Sequence, residues 1–256
     1  MAGLTVKDLR IGSRLIMGEY GVTNYSLLPI TWLKMTRSGD FISEFVLDEL
    51  AYDAAERHPD RRYWISNADY QLSNIRTFLN SSDETWYHPT HERDAPPALV
   101  AARYGYEQHY GFLCGFGSHE IAAMQKVDGD RVRLPLQSEI IDLEPASLFK
   151  RKGIRAMATN DLDMRKRRST CYRPYWLKDD AGPAFDGVVP TIGADAYVHH
   201  QGASQTCGVR PVCRLKLDAV VDHEWVAPYG NAFFLRAQDE IKSCTDADIF
   251  QLLGLV

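Results

Sequence analysis

The sequence predicts a β-rich fold carrying a few short helices, and three observations support this. First, short apolar runs alternate with a period of two. In "SRLIMGEYG", Leu15 and Met17 alternate with Ile16 and Gly18; in "GVRPVCRLKL", Cys213, Leu215 and Leu217 alternate with Arg214 and Lys216. That period turns one face of a strand to a core and the other to water. Second, "YQLSNIRTFLNS" has helical spacing, with Leu72, Ile75, Phe78 and Leu79 on one face. Third, aromatic residues make up 11% of the chain, including 13 Tyr and 5 Trp. Such a composition suits strands, or a surface that binds through rigid aromatic contacts.

In chain order, residues 4–20 read as a polar turn or helix running into a strand. "PITWLKMTRSGDFISEFVLDE" predicts a hairpin over about 30–47, turning at 37–40. A conflict arises inside it. Phe41, Ile42, Phe45 and Val46 sit at helical spacing and "ELAYDAAERH" continues with helix formers, so pattern alone reads helix. The helix of "YQLSNIRTFLNS" has Asp69 or Ser73 available as its cap. Residues 81–98 are polar, contain proline and read as loop. "GSHEIAAMQKV" (117–127) is a second short helix with Ser118 as N-cap. "DGDRVRLPL" (128–136) is a turn into a strand with Val132 and Leu134 on one face. "SEIIDLEPASLF" is a capped helical turn, broken before Pro145. Residues 178–206 form a long irregular loop between "PYWL" and "GVRPVCRLKL". The tail ends in "CTDADIFQLLGLV", a Thr-capped helix with Ile249, Phe250, Leu252 and Leu253 as apolar anchors.

The chain of 256 residues, 45% hydrophobic and 25% charged, is long enough for one large domain or two small ones. Its net charge of −5 gives no bulk attraction to nucleic acid or anionic lipid. No apolar run approaches the roughly 18 residues that span a membrane. The N-terminus lacks a basic region followed by an apolar stretch, so no signal peptide is expected. The five cysteines, Cys114, Cys171, Cys207, Cys213 and Cys244, are odd in number and contain no C-x-x-C. They read as free, mostly buried thiols in a reducing compartment.

Candidate chemistry is sparse. "HPTH" (His88, His91) and "HH" (His199, His200) lack a third ligand at metal-binding spacing, and loop histidines are the expectation. Asp179, Asp180 and Asp186 put oxygen ligands on a tight loop, the chemistry of a Ca²⁺ site, but without D-x-D-x-D-G. No metal and no cofactor is expected. Residues 150–168 hold eight Lys or Arg and two acids: Lys150, Arg151, Lys152, Arg165, Lys166, Arg167 and Arg168 are the basic patch. It would grip phosphates, but it lacks aromatics to stack bases, so nucleic acid is not the favoured partner. The stretch "ARYGYEQHYGF" places Tyr104, Tyr106 and Tyr110 either on a binding surface or in the core.

Six blocks in order, "ITWLK", "FISEFVLDELAYD", "SNIRTFLN", "RVRLPLQSEI", "YWLK" and "CGVRPV", resemble the bacterial and phage family called domain of unknown function 6273. That family reads I-x-W-x-V-L, a strand ending Leu-Asp, S-x-L-R-x-W-L-N, L-L-S-x-x-E, W-W-L-R-S and G-V-R-P. The resemblance covers about residues 10–220, with 81–112 as an insertion. It implies an α+β, C-type-lectin-like fold of the kind used by formylglycine-generating enzymes: two packed helices, small twisted antiparallel sheets and long irregular loops. It places 41–47 on a strand and 73–80 on a core helix. The motif residues are Trp32, Arg76, Leu79, Asn80, Trp176, Gly208, Arg210 and Pro211. Locally, Gly208 permits a positive φ at strand entry. Pro211 belongs at a strand edge or start. Arg210 bonds loop carbonyls or a carboxylate, and Trp176 anchors the sheet.

The expected organisation is a domain over 1–221 and an assembly extension over 222–256. The expected function is a non-enzymatic binding or structural protein in a phage or prophage virion, as capsid decoration, head fibre or tail-associated protein. Its partners would be capsid or tail proteins, a host-surface ligand and further copies of itself, without membrane insertion. It would be cytoplasmic at synthesis and then carried in the virion. Two alternatives are an intracellular binder of nucleic acid or of a host defence protein through 150–168, and a cysteine oxidoreductase of the formylglycine-generating type. The last rests on Cys207 and Cys213, which share a face if their strand is regular.

Overall fold

The structure, a computed structural model, describes residues 3–21, 27–53, 68–87, 106, 109–141, 156–157, 172–179, 187–226 and 230–237. Strands β1 (Arg14–Tyr20), β2 (Leu28–Lys34), β3 (Asp40–Ser43) and β4 (Asp48–Ala51) precede helix α1 (Asn74–Asn80). Helix α2 (Ser118–Ala123), strands β5 (Met124–Gln125) and β6 (Val132–Arg133) and helix α3 (Gln137–Ile141) follow. Next come β7 (Ala156–Met157), β8 (Tyr172–Arg173), β9 (Tyr175–Trp176), β10 (Val188–Ile192) and β11 (Val198–Gly202). The last are β12 (Thr206–Val209), β13 (Val212–Leu215), β14 (Val221–Val226) and β15 (Gly230–Leu235).

These elements make an α+β fold. One sheet of eight strands runs β14-β15-β1-β2-β3-β13-β5, with β6 also paired to β13. A second sheet of five runs β11-β10-β9-β12-β4, and β7 pairs with β8. The chain leaves the larger sheet between β3 and β4 and returns to it between β12 and β13. These two passages run side by side: Ser43 N donates to Pro211 O at 2.9 Å and Leu47 N to Val209 O at 2.9 Å. Arg210, fully buried, ties them together. Its Nε donates to Ser43 O at 3.0 Å and its Nη1 to the Tyr175 hydroxyl at 3.2 Å. Pro211 falls at the break between two ladders, where its missing N–H leaves no gap.

Several expectations need correction. The segment 41–47 is neither helix nor one strand: β3 ends at Ser43 and β4 begins at Asp48, in the other sheet. Phe41 packs in the larger core cluster and Ile42 in a second, smaller one. A strand buried on both faces carries adjacent apolar residues, which imitate helical spacing. Gly208 does not adopt a positive φ. A Cβ there would lie 2.3 Å from Pro174 O and 2.7 Å from Val46 Cγ1, so glycine is required by the close approach of β9. Cys207 and Cys213 stand on strands of different sheets and share no strand face.

The helix expectations hold in part. Ser73 caps α1 by accepting from Arg76 N, and Asp69 caps the preceding 3₁₀ turn through Gln71 N. Ile75, Phe78 and Leu79 are buried, but Leu72 lies in that turn and is 69% exposed. Helix α2 is capped at Gly117 rather than Ser118, with Glu120 Oε2 accepting from Gly117 N at 2.7 Å. It stops at Ala123 because Met124 and Gln125 pair with β13. Asn80 ends α1 by imitating a strand: its Oδ1 accepts from Arg131 N and Val132 N, and its Nδ2 donates to Val132 O.

Residues 178–206 are not wholly irregular. They contain the β10–β11 hairpin, in register from Val188↔Gly202 to Ile192↔Val198. The expected insertion at 81–112 contributes to the core, where Trp86, Tyr87, Tyr106 and Phe112 pack, while Asp83, Glu84 and Tyr110 are exposed. The expected boundary at 221/222 cuts β14, whose hairpin partner β15 pairs parallel with β1. Residues 222–226 and 230–235 therefore belong to the main sheet, and Ile249, Phe250, Leu252 and Leu253 lie outside the described residues.

Two substitutions test this packing. Gly208→Ala should lower stability by about 3 kcal/mol, because backbone rather than a yielding side chain opposes the new methyl. Asn80→Leu should cost about 2–3 kcal/mol by stranding the Arg131 and Val132 amides. Urea unfolding reads both, and a wild-type midpoint in either would refute the contact in question.

Candidate functional site

Among the described residues, the tip of the β10–β11 hairpin is an exposed element that bears chemistry. Gly193 N donates to Tyr197 O at 2.8 Å and closes the turn, and Ala196 holds a φ of 71°. Asp195 Oδ1 accepts from Tyr197 N at 3.1 Å, and its carboxylate faces His199 Nε2 at 2.9 and 3.0 Å. These two contacts hold the Asp195 carboxyl below the usual carboxylate range, the backbone N–H of Tyr197 contributing most. A Cβ at Gly193 would lie 2.4 Å from Asp195 Oδ1 and 2.5 Å from His199 Cδ2, so glycine leaves room for the pair as it stands. Tyr197 is 72% exposed beside this pair. His200 is exposed on β11, and neighbouring residues of a strand point to opposite faces. The two histidines are thus kept apart.

The other predicted residues are distributed as follows. Asp179 accepts from Gln137 N at 2.5 Å and so caps α3; Asp180 and Asp186 lie outside the described residues. Tyr106 is core, its hydroxyl donating to Ala51 O at 2.9 Å, and burial pushes its pKa well up. Tyr110 is exposed, and Tyr104 lies outside the described residues. So do all seven basic-patch residues: Lys150, Arg151, Lys152, Arg165, Lys166, Arg167 and Arg168. Trp32 and Trp176 are fully buried, and their indole N–H groups donate to Met17 O and Leu50 O at 2.8 Å each. Arg76 Nε bridges both oxygens of Asp130, at 2.9 and 3.0 Å. Leu79 is fully buried. Among the described residues, no three His, Cys, Asp or Glu side chains converge as a metal set.

Two features escaped the sequence. One is a buried polar triad: the Tyr20 hydroxyl donates to Asp48 Oδ2 at 2.5 Å, and His109 Nδ1 lies 3.1 Å from the same oxygen. Its members come from β1, β4 and the segment before Phe112, so no local spacing connects them. The other is a cleft of about 80 Å³ above the triad, lined by Leu27, Tyr20, Tyr110, Phe112 and Cys114 among others.

The three described thiols, Cys114, Cys207 and Cys213, are poor nucleophiles, while Cys171 and Cys244 lie outside the described residues. Burial pushes Cys207 up to about 12 and raises Cys213, with Asp40 adding to the latter. Cys114 is raised by burial, then by Glu84 and Asp83. A reactive cysteine needs the opposite surroundings.

No protein-family model matches the chain, and neither a curated protein nor a solved structure matches it.

Alkylation tests this account of the thiols. Near neutral pH, iodoacetamide should modify Cys114 slowly, and faster as pH rises toward its raised pKa. Cys207 and Cys213 should react only after unfolding. Peptide mapping by mass spectrometry reads each site, and prompt labelling of Cys207 in the folded protein would contradict its burial.

Proposed function

We propose that the chain is a non-enzymatic binding or structural protein of C-type-lectin-like fold, serving as a phage or prophage virion component. One observation supports it most. The motif residues Trp32, Leu79, Trp176, Gly208, Arg210 and Pro211 are buried, and Arg210 ties the two passages between the sheets, while the β10–β11 tip with Asp195, Tyr197 and His199 stands exposed on that scaffold. Rigid cores that present variable polar and aromatic tips are suited to recognition. The virion assignment comes from the resemblance of the six sequence blocks. Among the described residues, no helix is long and apolar enough to cross a membrane.

The cysteine oxidoreductase alternative loses its chemical basis, because Cys207 and Cys213 are buried, have raised pKa values and stand on different sheets. Incubation of the protein with a cysteine-containing peptide in air should leave that peptide unchanged by mass spectrometry. A formylglycine product that vanishes in Cys207→Ser would reinstate the enzyme.

The assembly part of the reading is tested by solution mass. Light scattering should find the full chain multimeric. A chain ending after Ala237, which keeps every described strand, should be a folded monomer. Monomers in both cases would remove the assembly role.

A further inference from the structure

The cleft above the buried triad goes beyond the reading given so far, since it shares no lining residue with the β10–β11 hairpin. It forms where the end of β1 meets the turn at Phe112–Gly115. Glycine at 115 makes that meeting close: a Cβ there would lie 1.9 Å from Glu19 O. The lining is mostly ring and aliphatic surface from Tyr20, Leu27, Tyr110 and Phe112. Its floor offers little polarity, because the Tyr20 hydroxyl is already directed at Asp48. Its apolar rim stands in water, with Leu27 55% and Tyr110 43% exposed.

The size of the cleft narrows the occupant. Its volume of about 80 Å³ is roughly half that of a cavity of about 150 Å³ known to hold benzene. The end of an aliphatic side chain fits that space better than an aromatic ring does. Charge narrows it further. Glu19 lines the cleft, and Asp83 and Glu84 act electrostatically on Cys114 within it. All three carboxylates are exposed, and among the described residues none has a cationic partner. No lysine or arginine lines the cleft, and His109, which does, has its Nδ1 turned to Asp48 at 3.1 Å.

We propose that this cleft docks a segment of a partner protein that presents one leucine- or isoleucine-sized side chain flanked by lysine or arginine. The aliphatic group enters between Leu27, Tyr20 and Tyr110. The flanking cations meet Glu19, Asp83 and Glu84, which speeds encounter and excludes acidic segments.

Three fluorescein-labelled peptides test it by polarisation on the full chain: a lysine-flanked leucine, the same peptide with glycine for leucine, and a glutamate-flanked leucine. The first should bind about tenfold or more tighter than the second, since burying one leucine side chain is worth at least that factor, and tighter than the third, whose glutamates meet the cleft's own carboxylates. Salt should weaken the lysine contribution and leave the leucine preference. Leu27→Ser with Tyr110→Ser should abolish the leucine preference, and Glu84→Lys should reduce binding of the lysine-flanked peptides alone. Both variants alter exposed positions, so unchanged circular dichroism confirms that they fold. Equal binding of all three peptides, or variants that bind like wild type, would overturn the proposal. So would dimers that form without peptide and dissociate in Leu27→Ser, because the occupant would then be a second copy.

Discussion

The fold depends on Arg210 at the double crossing between the sheets. Two stretches of chain, 44–47 and 210–211, change sheets at the same place, where neither can complete a regular ladder. Carbonyls freed by such a break must find donors, since a buried unpaired polar group costs on the order of 1–3 kcal/mol. Arg210 supplies them with a planar fork, one arm on Ser43 O and another on Tyr175, whose ring lies 5.1 Å from the guanidinium centre. Burial pulls the Arg210 pKa down, while Tyr175 and Glu44 oppose it. Lysine would provide the charge without the fork.

The same device recurs around the core: long polar side chains close gaps left by short elements. Lys34, 1% exposed, donates to Val6 O and Leu9 O and so secures the N-terminal 3₁₀ turn to β2. Arg133 grips Glu139 with two bonds of 2.7 and 2.5 Å, fastening α3 to β6. Asp40 accepts from Arg214 Nε at 2.8 Å and from Thr36 Oγ1 at 2.6 Å, linking β13 to the β2–β3 turn. A fold of short strands leaves many ladder ends, and each needs such a partner.

Legibility in the sequence followed the range of the interaction. The β2–β3 hairpin, the Ser73 cap and the turn at Asp128–Gly129, both with positive φ, were readable because their signals are local. Features set by contacts across the chain were not. The β10–β11 strands carry proline, glycine and histidine, and are ordered by pairing Pro190 with His200 and extending a sheet built elsewhere. Phe41 and Ile42 imitated a helix because two cores claim opposite faces of one strand. The Tyr20–Asp48–His109 triad draws on positions far apart, and only the closed fold brings them within hydrogen-bonding distance.

What the residues do follows from where the polar atoms are directed. Asn80, Arg76, Arg210, Asp40 and the two buried tryptophans all direct their polar atoms at backbone or at each other. Cys207 and Cys213 are held protonated by burial. Groups committed in this way stabilise a shape. Among the described residues, side chains free to meet another molecule include Tyr197 and the Asp195–His199 pair at one tip, and Leu27, Tyr110 and the carboxylates around the cleft. Both surfaces join an aromatic ring to acidic oxygen, a combination that gives contact area at low entropic cost together with selection by charge. Such a distribution of chemistry supports the proposed role in recognition.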